Sequence, residues 1–314
     1  VIGRVPLTES YGRLFGRHEN LRAIGTIFSE VSASKGGVLT IKGPAGIGKT
    51  RLIREGQWRL LSGGQDVGWF EVVCSPFGRG QPFGAVAALF RAITALEYVE
   101  TVNEIREKTN RLRELGLAPE EVEVVAALLG APPSSDDDYY IDAKRLLNSA
   151  VSHLAAGLSS DRTLVLVFDN ADDMDTDSLD VLRNLAENLG SLPVLLCLVY
   201  RDEVPTSVGS LKNKRNIDVV PLSKTNADQL TAQTLDIERA SASLSGSVFQ
   251  VTKGNPAFIE AYALSLLQSQ KIVLSSGTAD FKDNKHDVNP PRTADVAILK
   301  TIHALSDDER MLLE

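Results

Sequence analysis

Residues 37–62 read GVLTIKGPAGIGKTRLIREGQWRLLS: a short apolar run, three glycines within six residues, then a stretch with helical spacing. No other feature constrains the chain as much. A strand that feeds a glycine-rich turn into a helix is half of a strand–helix–strand crossover, and such crossovers build parallel sheets with helices on both faces. Further β-rich runs occur at 67–74 (VGWFEVVC), 163–169 (TLVLVFD), 193–201 (PVLLCLVYR) and 218–222 (DVVPL). Three of these are nearly continuous apolar, as expected of strands covered on both faces.

Helices alternate with those strands. Leu147, Val151, Leu154 and Leu158 fall at i, i+4, i+7 and i+11, and Leu179, Leu182, Leu185 and Leu189 recur every three or four residues before Gly190. Residues 98–139 read as a helical insertion ending in GAPPSSDDDYY, whose Asp136, Asp137 and Asp138 suit a solvated loop. Beyond 223 the strand signals fade and helical patterns follow near 226–236, 238–250 and 257–270. The expected organisation is an α/β core over 1–223, a small helical lid over 224–274, a polar linker over 275–293, and over 294–314 the start of a third unit.

Composition is that of an ordinary globular protein, with 43% apolar and 24% charged residues. The longest apolar runs fall far short of the roughly 20 residues needed to cross a bilayer, so no membrane partner is expected. The first residues lack a signal pattern and the last stop within a helical pattern, as in a piece of a longer chain. Cys74 and Cys197, each placed at a strand end, read as buried reduced thiols, which fits a cytoplasmic setting. A formal net charge of −8 argues against a surface built for nucleic acid. His18, His153, His286 and His303 are scattered and suggest no metal or nucleophile site.

The stretch GPAGIGKT satisfies G-x-x-x-x-G-K-[ST] through Gly43, Gly48, Lys49 and Thr50, with Pro44, Ala45, Gly46 and Ile47 between and Arg51 following. Such a phosphate loop is meaningful only after a strand and before a helix, and both conditions hold. Glycines let successive backbone N–H groups point into one concavity, and the helix start adds partial positive charge there. Lys49 would neutralise the terminal phosphates of ATP and the Thr50 hydroxyl would hold Mg2+. Asp169 ends a buried apolar run, which would place its carboxylate at the sheet's C-terminal edge as a second magnesium ligand. Asn170 follows, where an acid would polarise the attacking water. An amide orients water but takes no proton at neutral pH, so hydrolysis is expected to be slow. The run LKNKRN (211–216) lacks the aspartate of a guanine reader, Asn216 standing in that position.

With these residues the chain resembles the STAND branch of AAA+-related P-loop ATPases, the Orc1-like type found in large bacterial LuxR-type regulators and beside adenylate cyclase or protein kinase domains. The resemblance covers LFGRHENL, the phosphate loop, CSPFGRGQPFGAV, the acidic strand, YRDE and KGNPAFIE. It implies a P-loop NTPase fold with a parallel sheet, a helical lid and the beginning of a winged-helix unit. It also implies that Gly16 and Arg17 lie near the nucleotide base, that Arg201 reaches the terminal phosphate as a sensor, and that Pro256 of the lid meets the adenine. Pro256 after Asn255 equally suits an ordinary helix start. Members commonly carry two acids followed by His and Trp, whereas Asp169, Asn170, Ala171, Asp172 and Asp173 stand here. The implied function is an ATP- and magnesium-dependent switch with slow turnover, closing its lid to regulate sensor and output domains in the same chain, with nucleotide-dependent self-association as a further partner reading. A nucleotide-binding scaffold without turnover and an origin-recognition-like DNA-binding ATPase are the alternatives.

Overall fold

The computed structural model describes residues 12–282, apart from 77–79, 98, 133–138, 202, 212 and 276. Asp136–Asp138, His286, His303, most of the expected linker and the expected third unit lie outside the described residues. The described chain divides into two units, one of residues 19–43 and 49–218, the other of residues 12–18, 44–48 and 219–282.

The first unit is built on five parallel strands in the order β2-β3-β4-β1-β5. These are β1 (Gly37–Lys42), β2 (Val67–Val73), β3 (Thr163–Asp169), β4 (Val194–Tyr200) and β5 (Lys214–Asp218). Helices α1 (His18–Ser32), α2 (Lys49–Ser62), α3 (Gly84–Thr94), α4 (Val102–Asn110), α5 (Pro119–Leu128), α6 (Tyr139–Leu158), α7 (Thr176–Asn188) and the short α8 (Thr206–Gly209) complete it. Every residue of β3 and of β4 is buried, which explains their unbroken apolar runs. Leu166, Phe168, Leu196 and Leu198 share a core with Leu147, Leu154, Leu182 and Leu185 of α6 and α7. Leu112, Val122, Val125 and Leu129 belong to the same core, so the helical insertion is part of this unit's interior.

One carboxylate organises two helix starts in this unit. Asp175 caps α7 by accepting from the Ser178 N–H at 2.8 Å, and it also accepts from the N–H groups of Phe83 (2.9 Å) and Ala85 (3.2 Å) at the start of α3. Ser178 Oγ accepts from Ala85 and Val86, both at 3.1 Å. Amides that a helix leaves unpaired at its N-terminus are thereby satisfied in the interior.

The fifth strand differs from expectation. Residues 218–222 were the apolar candidate, but the strand is Lys214–Asp218, paired with β1 from Val38↔Lys214 to Lys42↔Asp218. It is an edge strand in which Ile217 is buried while Arg215, Asn216 and Asp218 are exposed, so it has no apolar run to read. Val220 is 60% exposed, and the Leu222 N–H bonds the Gly254 carbonyl within the second unit. Asn216 accepts from Thr40 Oγ1 at 2.6 Å, a strand-to-strand contact. Cys197 lies mid-strand rather than at a strand end. It shares register with Leu39 and Val167, whereas Cys74 packs in the core on the opposite face. Both are buried and free, and burial, followed by nearby carboxylates, pushes both thiols up, Cys74 to about 12.

The second unit contains α9 (Lys224–Thr234), α10 (Ala242–Thr252) and α11 (Pro256–Gln268), close to the three expected helical patterns. It also contains β6 (Arg239–Ala240), β7 (Ile272–Ser275) and β8 (Thr278–Phe281), in the order β6-β8-β7. The fading of strand signals after 223 therefore misled, and β8 falls where a linker was expected from 275. Such short strands carry little periodicity: only Ile272 of β7 and Ala279 of β8 are buried. Both belong to a core with Leu230, Leu244, Ile259 and Tyr262.

Asp175→Ala should destabilise the protein by about 2 kcal/mol or more, since it removes the α7 cap and leaves the Phe83 and Ser178 amides without this acceptor, while Ala85 keeps Ser178 Oγ. Urea unfolding measures this. A loss below about 0.5 kcal/mol would show that the shared cap contributes little.

Candidate phosphate and magnesium site

The glycine-rich loop follows β1 and opens α2, as its motif requires. Its ends, Gly43 and Lys49, belong to the first unit, and residues 44–48 belong to the second. Gly46 and Gly48 have φ of 76° and 95°, a region that other residues enter only with strain, so glycine is needed at both. A Cβ on Gly46 would also sit 2.8 Å from that of Ala257.

Within the first unit, the Gly43 N–H donates to the Tyr200 carbonyl, which ties the loop's start to the end of β4. Lys49 is 7% exposed and its Nζ donates to the Gly43 carbonyl at 2.7 Å. Thr50 Oγ1 donates to Asp169 Oδ2 at 2.5 Å, and Asp169 Oδ1 accepts from the Asn170 N–H at 2.8 Å. Thr50 and Asp169 are thus brought together, as expected, across 119 residues of chain. The pair offers a hydroxyl and a carboxylate side by side. Mg2+ takes oxygen donors and is commonly held by only one or two protein oxygens together with phosphate and water, so these residues fit it.

Asn170 adopts a left-handed conformation, φ 54° and ψ 44°, which Asn tolerates better than most residues. It leads a 3₁₀ turn, Ala171–Asp173, whose acids turn toward β4. Asp172 Oδ2 accepts from the Arg201 backbone N–H at 2.6 Å, and Arg201 Nη2 donates to Asp173 Oδ2 at 2.5 Å. Arg201 therefore stands at the strand exit, as the sequence indicated, and its guanidinium is engaged by Asp173, which is 4% exposed. Sequence reasoning missed this partnership, because nothing local connects an acid in a turn with an arginine 28 residues away.

Glu71 was also missed. On β2 it shares a sheet face with Asp169, since Val73 pairs with Asp169, and it lies 3.5 Å from Arg54 of α2. Burial raises its pKa, Arg54 opposes that, and the charge of Asp169 adds to it. Arg51 lies half-buried in the first turn of α2.

In the second unit, Arg17 is 3% exposed. Its Nη1 donates to the Val220 carbonyl at 2.8 Å and its Nη2 to the Ile47 carbonyl at 3.0 Å. Burial lowers its pKa. Gly16, with φ 64°, lies against Asn226 and Leu222. Arg17 thus serves backbone carbonyls, one of them in the loop. Pro256 is the first residue of α11 and half-buried, and Asn255 before it caps that helix, its Oδ1 accepting from the Ala257 N–H at 3.1 Å. Asn255 Nδ2 donates to the Ala45 carbonyl at 2.9 Å, a contact the sequence did not announce.

A protein of Rhizobium meliloti (strain 1021), itself uncharacterized, is 27% identical over 236 residues, covering 67% of this chain and 21% of that protein, so the chain spans about a fifth of its length. Among solved structures, the Orc1 protein of Aeropyrum pernix, determined in complex with DNA, is similar with a TM-score of 0.50 and 13% identity, over 98% of this chain and 73% of that one. Cdc6p of Pyrobaculum aerophilum is similar with a TM-score of 0.49 and 17% identity, over 84% of this chain and 65% of that one. At such identities the Orc1 likeness speaks to the fold, an α/β unit with a five-stranded parallel sheet flanked by helices. Among the described residues no helix is long and apolar enough to cross a membrane. Residues 13–199, more than half of the chain, match the AAA ATPase domain family and include the phosphate loop, the Thr50–Asp169 pair, β1 to β3 and all of β4 but Tyr200, so the chain belongs to that family.

Proposed function

We propose that this chain is an ATP-binding switch module of the STAND type, with magnesium-dependent and slow hydrolysis, whose nucleotide state is passed through the helical residues 224–274 to attached sensor and output domains. The observation that carries the reading is the 2.5 Å contact between Thr50 and Asp169, directly after Lys49 at the helix start. Magnesium, when bound there, would neutralise phosphate charge. The chain's own residues do the rest: Lys49 pairs with the terminal phosphates, amides of the loop donate to them, and Asp169 keeps the Thr50 oxygen in place.

Asn170 supports slow turnover, because it offers no proton acceptor beside Asp169. Asp173 supports it too, since Arg201 must exchange an ion pair for a phosphate contact before it can act as a sensor. The R. meliloti relative carries the matching stretch within a much longer chain, which suits a module serving other domains. DNA binding belongs to the Aeropyrum protein, and the net charge of −8 argues against carrying it over. A scaffold that binds ATP without turnover is the second reading, favoured by the same Asn170.

Lys49→Ala should weaken MgATP binding tenfold or more, since a charge-assisted phosphate contact contributes about 1.5–3 kcal/mol. Fluorescent-nucleotide titration reads this directly, and an unchanged affinity would remove the loop from consideration as the nucleotide site.

Asn170→Asp should raise phosphate release by about 10² or more if the missing base limits chemistry, as general-base assistance typically does. Multiple-turnover assays decide the matter: no rise would place the limit in lid opening or product release, and no release by either protein would favour the scaffold.

ATP with Mg2+ should slow proteolysis near residues 222–228, and Arg201→Ala should remove that protection more than it weakens binding. Equal protection by ADP and ATP would contradict a switch.

A further inference from the structure

Three successive carbonyls of the phosphate loop are held by donors of the same unit. The Ala45 carbonyl takes Asn255 Nδ2 at 2.9 Å, the Gly46 carbonyl takes the Ala257 N–H at 3.2 Å, and the Ile47 carbonyl takes Arg17 Nη2 at 3.0 Å. The two side chains are themselves buried, Asn255 at 9% and Arg17 at 3% exposure. Burial makes these bonds costly to lose, because each carbonyl would be left without a partner.

In a trans peptide the carbonyl and the N–H of the same plane point in opposite directions. Fixing the carbonyls of Ala45, Gly46 and Ile47 therefore also fixes the directions of the N–H groups of Gly46, Ile47 and Gly48, each opposed to a held carbonyl. The Ile47 N–H closes a turn on the Pro44 carbonyl at 3.3 Å. Those of Gly46 and Gly48 are the donors left aimed away from the held side, and both glycines have the positive φ that this path demands.

We infer that Asn255 and Arg17 are positioning residues of the phosphate loop: by holding the Ala45 and Ile47 carbonyls they orient the Gly46 and Gly48 amides toward a nucleotide's phosphates. The inference rests on the proposal that this loop binds ATP, and it adds how the loop is set. It gives Arg17 a task other than reading the base, and gives Asn255 a second task beyond capping α11. Phosphate affinity then follows the seating of α11's first turn, because one side chain serves both.

Asn255→Asp separates the two tasks. Aspartate caps a helix as well as asparagine does, through the same oxygen, but it has no N–H to give the Ala45 carbonyl. Asn255→Ser is a second variant that keeps the cap. Arg17→Lys keeps the charge but cannot bridge two carbonyls as a guanidinium fork does. In nucleotide-free protein, amide exchange of the peptide covering 44–50 should speed up about fivefold or more in Asn255→Asp and in the uncharged Asn255→Ser, by more than exchange elsewhere in the same protein, because the loss is local. MgATP affinity should fall about fivefold or more in Asn255→Ser, which adds no negative charge beside the loop, and in Arg17→Lys, which is the scale of one lost buried hydrogen bond plus its orienting effect. Unchanged exchange in the loop, or an unchanged affinity in variants whose wild-type parent binds MgATP, would overturn the inference alone. A wild-type protein that binds no MgATP would overturn the nucleotide reading and the positioning role with it.

Discussion

The hydrogen bond from Thr50 to Asp169 joins the first turn of α2 to the end of β3, and the proposed magnesium site rests on it. Neither residue could reach the other without the parallel order of the sheet. β1 delivers the loop and β3 delivers the acid, each at its C-terminal end, with β4 as their common neighbour. Because β3 and β4 are buried along their whole length, their register is fixed by packing: a slip of one residue would turn Asp169 from the face of Thr50 into the apolar face of Phe168. The apolar core thus sets the geometry of a polar site.

How far the site could be read from the sequence follows from the range of the interactions involved. The placement of Lys49, Thr50 and Asp169 was legible because each is announced locally, by a glycine-rich turn between strand and helix or by an acid ending an apolar run. The strands β1 to β4 were legible for the same reason. β5 was not, since an edge strand with one buried residue, Ile217, has no pattern stronger than its neighbour DVVPL. β7 and β8 were lost between the helical patterns before them and the polar stretch after them. Least legible were the contacts made across long stretches of chain: Arg17 with Ile47, Asn255 with Ala45, Arg201 with Asp173 and Asp175 with α3. No spacing rule encodes these, because they depend on which elements the fold brings together.

The short run after β3 shows how one substitution pattern can be structurally coherent. Asn170 takes the left-handed turn that ends the strand, and that turn presents Asp172 and Asp173 to the backbone and side chain of Arg201. The acids this chain carries there hold an arginine at the strand exit, while the position beside Asp169 has no proton acceptor. Both features are consistent with the slow turnover proposed above.

The central claim is that Thr50 and Asp169 act as one magnesium site beside bound ATP. A double-mutant cycle tests it most directly, measuring by titration calorimetry how much Mg2+ strengthens ATP binding in the wild type, in Thr50→Val, in Asp169→Asn and in the double variant. The account predicts that either single change removes most of the magnesium effect and that the double change removes little more, because the two oxygens serve one ion. Independent, additive losses, or a magnesium effect that survives both substitutions, would contradict it.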